Sequence, residues 1–336
     1  QLLLTGAAAR GLPETTMHRL ERVLHQPSDS LPHADHFHIR LYCSVEDRLY
    51  GCLDTPPYWD WVDLGEARFQ ERVRHVSRLL SMDAAAWRVQ GAEYLARLRA
   101  SSAVPRLVAG LRDPSRVVRE AILKALKTIG DGAAVEGVLA TLKDSQDARW
   151  AGALFSSLGR YRGTDAAAIA RGYLDRPSSL LHPDLADDGV GSLAPFRVTA
   201  ARLMGKKGEL DSVNHLLELL ADGDSRVRKV AEASLTGVTN HVVRPGVTSR
   251  SRRKRARGLA AWRRLVNDWE GWGWRDVVLQ GFARTEFEIP VELKSREAVD
   301  ALIEVTGAKG AHLRHNASLL LSSVTGHAVS PTSRSA

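Results

Sequence analysis

Three histidines within six residues, His33, His36 and His38, are the side chains of this sequence best suited by type and spacing to chemistry. From His36 to Leu41 polar and apolar residues alternate strictly, the period-two pattern of a half-buried strand. On such a strand Phe37, Ile39 and Leu41 face a core, while His36, His38 and Arg40 share the other face, with successive side chains roughly 6–7 Å apart. Two imidazoles so placed can serve one site, one binding Zn2+ through a ring nitrogen and the other moving protons beside it. His33, in the approach to the strand, can swing to the same place. The same alternation also describes an ordinary exposed strand face, and the spacing alone leaves both readings open.

Elsewhere the chemistry is thinner. Residues 177–191 gather His182, Asp184, Asp187 and Asp188 in a Pro- and Gly-rich stretch that is read as a solvated linker rather than a metal loop. The run Arg250-Ser-Arg252-Arg253-Lys254-Arg255-Ala-Arg257 precedes Trp262, Trp269, Trp272 and Trp274. Interleaved cations and indoles can hold nucleic acid by charge and stacking. The tryptophan spacing instead favours a packing face, with the basic run in an inter-helix loop and an anionic partner as the next reading. The chain carries no phosphate-binding glycine loop and no convincing Ser/His/Asp arrangement.

The elements that must position these residues fall into two textures. Residues 1–63 combine a helical pattern over 14–25, a turn-rich link, the histidine strand and a Pro/Trp-rich exit. Residues 64–336 read almost throughout as amphipathic helices of 12 to 18 residues, as in the spacing of Val118, Ala121, Ile122, Ala125, Leu126 and Ile129. The helices repeat. Asp113 is followed by Arg119 and Leu126, and Asp222 by Arg228 and Leu235, with looser copies at Arg88, Arg149, Arg197 and Arg314. A period near 30 residues suits one helix–turn–helix unit, and inserts near 177–191 and 244–258 widen two intervals. The Asp is expected to cap the second helix of each pair, and the Arg to reach an Asp in its own or the next turn. A pair cannot bury its apolar face alone, so neighbours must stack. These motifs resemble HEAT repeats over roughly residues 75–327. That resemblance implies a mainly α protein, a HEAT-like α-solenoid that binds a protein partner or the cell wall; an irregular helical bundle is the alternative.

Composition bounds the rest. The chain has 336 residues, 44% hydrophobic and 26% charged, as expected of a folded globular protein. No apolar run reaches the ~18–20 residues of a membrane-spanning helix. The net charge is +8, of which six units lie in 250–257 and only +2 elsewhere. Nucleic acid is therefore not an expected partner. Two cysteines exclude a four-cysteine zinc site.

The motif His33-x-x-His36-x-His38, followed by Arg40 and Cys43 and led in by Gln26-Pro-Ser-Asp29-Ser, resembles the C-terminal part of a penicillin-insensitive murein endopeptidase, a zinc metallopeptidase, over residues 25–63. The resemblance implies a small α+β remnant in which His38 binds Zn2+, His36 handles protons beside the metal-bound water and His33 stabilises the attacked carbonyl. The implied reaction is hydrolysis of a peptide cross-link in peptidoglycan. It also implies a Cys43–Cys52 disulfide and a periplasmic or other extracytoplasmic location, with two buried thiols as the alternative. The family takes its remaining zinc ligands from an upstream His and an Asp seven positions later. Neither His18 nor His25 has that Asp, and His215 with Asp222 has the spacing but follows the motif. The expectation is a chain that begins inside a larger protein, with its metal site divided and inactive alone. Two rivals remain: a non-catalytic HEAT-repeat scaffold, and a HEAT-like nucleic-acid binder using 250–257.

Overall fold

The computed structural model describes residues 2–23, 43, 44, 47, 50, 52, 66–186, 193–205, 210–326 and 329. The chain divides into two compact units, Gln1–Cys43 with Asp54–Pro56, and Ser44–Leu53 with Pro57–Ala336. The first contains helices α1 (Leu2–Ala9) and α2 (Glu14–Val23). Among the described residues there is no strand. The expected strand at 36–41, with His33, His36 and His38, lies outside them, and so does any test of the α+β remnant.

The second unit is built of helix pairs. Helices α3 (Glu66–Ser77) and α4 (Ala85–Arg97) form the first pair, α5 (Val104–Ala109) and α6 (Arg116–Ile129) the second, and α7 (Val135–Asp144) and α8 (Ala148–Ser157) the third. In the fourth, α9 (Ala166–Asp175) pairs with α11 (Ala194–Met204) around the short α10 (Pro183–Ala186). The fifth is α12 (Val213–Leu219) with α13 (Ser225–Thr239). Then come α14 (Arg252–Asn267), α15 (Trp274–Phe282), and a last pair, α16 (Arg296–Val305) and α17 (Ala311–Thr325).

Each second helix packs on the next, α4 on α6, α6 on α8, α8 on α11, α11 on α13 and α13 on α17, giving a continuous layer. The apolar stripe of α6 shows why: Val118, Ile122, Leu123, Ala125, Leu126 and Ile129 are all buried. One core runs from Val73 to Val277, and a second, from Val278 onward, lies under the last pair. Three of the second helices end alike. Gly130, Asn240 and Gly326 take left-handed conformations (φ +68°, +62° and +70°) after α6, α13 and α17, and each donates its N–H back to the helix.

The basic run departs from expectation. Residues 252–257 are the first turns of α14 rather than loop, with Ser251 as N-cap accepting from the Lys254 amide. The helix forms there because Gly258, Trp262 and Leu265 bury its other face.

Candidate functional site

The turns between paired helices carry the densest polar chemistry among the described residues. Asp113 accepts a hydrogen bond from the Ser115 amide (2.8 Å), and Asp222 accepts one from the Asp224 amide (2.8 Å). These aspartates fold the turn rather than cap the helix; the N-caps themselves are Ser115 and Asp224. Asp224 does cap, accepting from the Arg226 amide, and the Arg226 guanidinium and that amide together hold its carboxyl down to about 2.

An arginine four residues after each N-cap then clamps the turn. Nη1 of Arg88 donates to the carbonyls of Met82 and Asp83, Arg119 to those of Asp113 and Pro114, and Arg228 to those of Asp222 and Gly223. Arg255 does the same to Ser249 and Arg250, and Arg314 to Ala308 and Lys309. Sequence reasoning missed Arg255 because it sits inside the basic run. Its signal was present: a large apolar residue seven positions on, here Trp262 in place of leucine. Arg149, by contrast, is not a member. In α8 the residue four after the N-cap Asp147 is the buried Ala151, and Arg149 is exposed.

Two arginines at this place in the second helix, Arg88 and Arg197, couple one repeat to the next across 25 residues. Arg88 grips Asp113 with two hydrogen bonds (2.7 and 3.0 Å), and Arg197 grips Asp222 at 2.7 Å. Burial pushes the Asp113 carboxyl up, but the Arg88 hydrogen bond, the Ser115 amide and the charges of Arg88 and Arg119 outweigh it and hold it below the ordinary carboxylate value. At the same distance from Arg119 stands Asp144, which pairs with Arg112 (2.7 Å), and Arg119 instead lies 5.7 Å from the Trp150 ring centre. At that distance from Arg228 stands Arg253, and the Nε of Arg228 is buried without a hydrogen bond. The ladder is therefore interrupted where the basic run begins.

Three of the four tryptophans pack, as their spacing indicates, while Trp272 is exposed. Trp262 is fully buried, Trp269 donates its indole N–H to Gln280 Oε1 (3.0 Å), and Trp274 donates to the Val238 carbonyl (2.8 Å). His241 lies against Trp269, with Nδ1 2.7 Å from the Thr239 carbonyl and Nε2 3.1 Å from the same Gln280 oxygen. Burial holds its pKa below the usual histidine value against the raising effect of the Thr239 carbonyl and of Gln280, and Arg284 adds to the lowering. Burial lowers His312 in the same way. The unfolded chain protonates both below about pH 6.5, whereas the fold resists it, so their contribution is full above that pH and is lost as pH falls through the folded pKa. Urea midpoints should fall between pH 7 and pH 5, and His241→Gln should flatten that slope. A midpoint that rises on acidification would contradict the assignment.

Arg250, Arg252, Arg253, Lys254 and Arg257 are exposed, and the last four crowd the positive end of the α14 dipole. Replacing Arg252 and Arg253 by Glu is expected to raise stability by about 0.5–2 kcal/mol in total, at 0.3–1 per site. The check is the melting temperature at low and high salt, since screening should shrink the gain.

The remaining expected site residues resolve as follows. Cys43 and Cys52 are disulfide-bonded. His215 Nε2 lies 3.0 Å from Asp175 Oδ1 while Asp222 is engaged by Arg197, so the His215/Asp222 spacing makes no shared site. His182 bonds locally to the Asp184 amide (3.3 Å), and Asp187 and Asp188 lie outside the described residues. Among the described residues no three His, Cys, Asp or Glu side chains group as metal ligands, and no helix is long and apolar enough to cross a membrane.

On the layer of second helices, α11 and α13 leave a groove of about 750 Å³ lined by Pro195, Val198, Arg202, Lys229, Val230 and Ala233. Its floor is apolar and its rim cationic, a surface suited to a side chain or short segment of a partner.

Residues 76–159 match the family model of HEAT repeats. The match runs from the end of α3 through α8; the arginine clamps at 228, 255 and 314 continue the same turn geometry beyond it. No curated protein gives a significant match to the chain.

Proposed function

We propose that this chain is a non-catalytic HEAT-repeat scaffold that binds a protein partner on its layer of second helices. The observation that carries the reading is the stacked helix-pair array over a HEAT match, with an apolar-floored groove between α11 and α13. Such layers leave side chains on one face free to vary while the turns hold the frame. The test is cross-linking of the tagged protein in its native cells with mapping of linked peptides. An Arg202→Glu/Lys229→Glu variant, changed at two exposed groove residues, should keep its melting temperature and lose the linked partner. Retention of that partner by the variant would remove the groove from the reading.

A second reading follows from the Cys43–Cys52 disulfide, which favours an oxidising compartment. That is the setting implied by the murein endopeptidase resemblance of residues 25–63, where His38 would bind Zn2+ and His36 and His33 would serve hydrolysis of a peptidoglycan peptide. Its test is metal analysis and muropeptide release by the chain extended upstream to supply an His and an Asp seven positions apart. His38→Ala in that chain should abolish both. Peptidoglycan hydrolysis by the extended chain would promote this reading above the scaffold.

A further inference from the structure

A second groove on the same layer differs from the first in being lined almost wholly by cations. It has a volume of about 550 Å³ and is formed by Arg99, Lys124, Lys127, Thr128, Ser156 and Arg160. Three successive repeats contribute: Arg99 follows α4, Lys124, Lys127 and Thr128 lie in the last turns of α6, and Ser156 and Arg160 lie at and after the end of α8. No Asp or Glu lines it. Among the described residues none of the four cations forms a salt bridge, whereas Arg88, Arg112 and Arg116 of the same repeats all do. Four like charges sharing one groove repel one another, and the fold offers them no counter-charge.

The backbone adds an independent observation. Arg99 has φ +49°, and with Asn240 it is one of two non-glycine residues at positive φ among the described residues. It stands two residues after α4, near the place that Gly130, Asn240 and Gly326 fill directly after α6, α13 and α17. Glycine or asparagine is favoured there, because any other L-residue brings its Cβ close to the following carbonyl. An arginine is therefore held in an unfavourable conformation where its side chain lines the basic groove. Strain of this kind collects at ligand-binding positions.

We infer that the groove of Arg99, Lys124, Lys127 and Arg160 receives a short run of Asp and Glu side chains from a protein partner. The inference rests on the scaffold reading and names the chemistry of its ligand. Charge complementarity selects a carboxylate-bearing segment. The lining holds no aromatic side chain on which a base could stack, which disfavours single-stranded nucleic acid. The groove accommodates a few charges, in keeping with a short peptide segment.

The test uses the full chain and a fluorescein-labelled deca-glutamate peptide, with binding read by fluorescence anisotropy across a salt series. Lys124→Glu/Lys127→Glu should weaken binding at least tenfold with an unchanged melting temperature. Arg252→Glu/Arg253→Glu, which changes the net charge by the same four units elsewhere, should leave binding unaltered. Arg99→Gly gives the sharpest result: it should raise the melting temperature by relieving the backbone and at the same time weaken the peptide several-fold. Equal loss in the α14 variant would mean that net charge alone attracts the peptide, and would overturn the inference. So would undiminished binding in the groove variants, or displacement of the peptide by a single-stranded oligonucleotide at lower concentration. If the groove variants bind the peptide normally while the cross-linked partner is still lost on Arg202→Glu/Lys229→Glu, this inference fails and the scaffold reading stands.

Discussion

Replacing Trp262 by alanine is expected to destabilise the fold by about 3–5 kcal/mol, the range for emptying a large buried aromatic site. Trp262 is fully buried and stands seven residues after Arg255, where the equivalent positions after Arg88, Arg119, Arg228 and Arg314 hold Leu95, Leu126, Leu235 and Leu321. It fits because the residue one turn earlier is Gly258, whose place in α14 brings it so close to the Pro245 carbonyl that a Cβ there would lie 2.4 Å from the oxygen. The indole N–H of Trp262 is buried without a hydrogen bond. Trp262→Phe therefore loses volume but also removes an unpaired donor, which costs about 1–3 kcal/mol while buried. The phenylalanine variant should retain most of the wild-type stability in urea unfolding followed by circular dichroism. Equal losses for Phe and Ala would show that the indole is hydrogen-bonded in solution.

Asp222→Ala is expected to cost about 2–3 kcal/mol, because it removes a carboxylate hydrogen-bonded to the half-buried Arg197 and the acceptor of the Asp224 amide. Asp113→Ala should act in the same direction at the Arg88 contact. The exposed Arg296–Asp300 pair, 3.8 Å apart with side chains 91% and 67% exposed, provides the contrast, since its removal should change stability by less than about 0.5 kcal/mol. Arg197→Met combined with Asp222→Ala should recover part of the loss, since the cation is removed together with the carboxylate it bonds. An Asp222→Ala variant as stable as the wild type would show that the cross-repeat pair contributes nothing to the frame.

The sequence carried these features unevenly. The helical period, the Asp–Arg–Leu spacing at 113–126 and 222–235, and the packing role of the tryptophans are local patterns, and they are legible because each is set by one helix's need to bury one face and close one turn. Arg255 was hidden for the same reason that the run 250–257 suggested a loop: consecutive cations mask the single one whose side chain turns back onto the Ser249 and Arg250 carbonyls. Arg149 misled because Trp150 beside it imitated the pattern, while the true register is counted from the N-cap Asp147.

By itself, then, the sequence determined that the chain folds as stacked helix pairs, since period, turn residues and repeat length all follow from contacts within about 30 residues. Tertiary structure decided the rest. Which aspartate each arginine meets depends on how one pair sits on the next, so Arg88 reaches Asp113 while Arg119 turns to Trp150. The grouping of Arg99, Lys124, Lys127 and Arg160 has no sequence motif at all, because the three helices that bring these cations together are fixed by their buried faces, and a repeat's exposed residues answer only to whatever binds there.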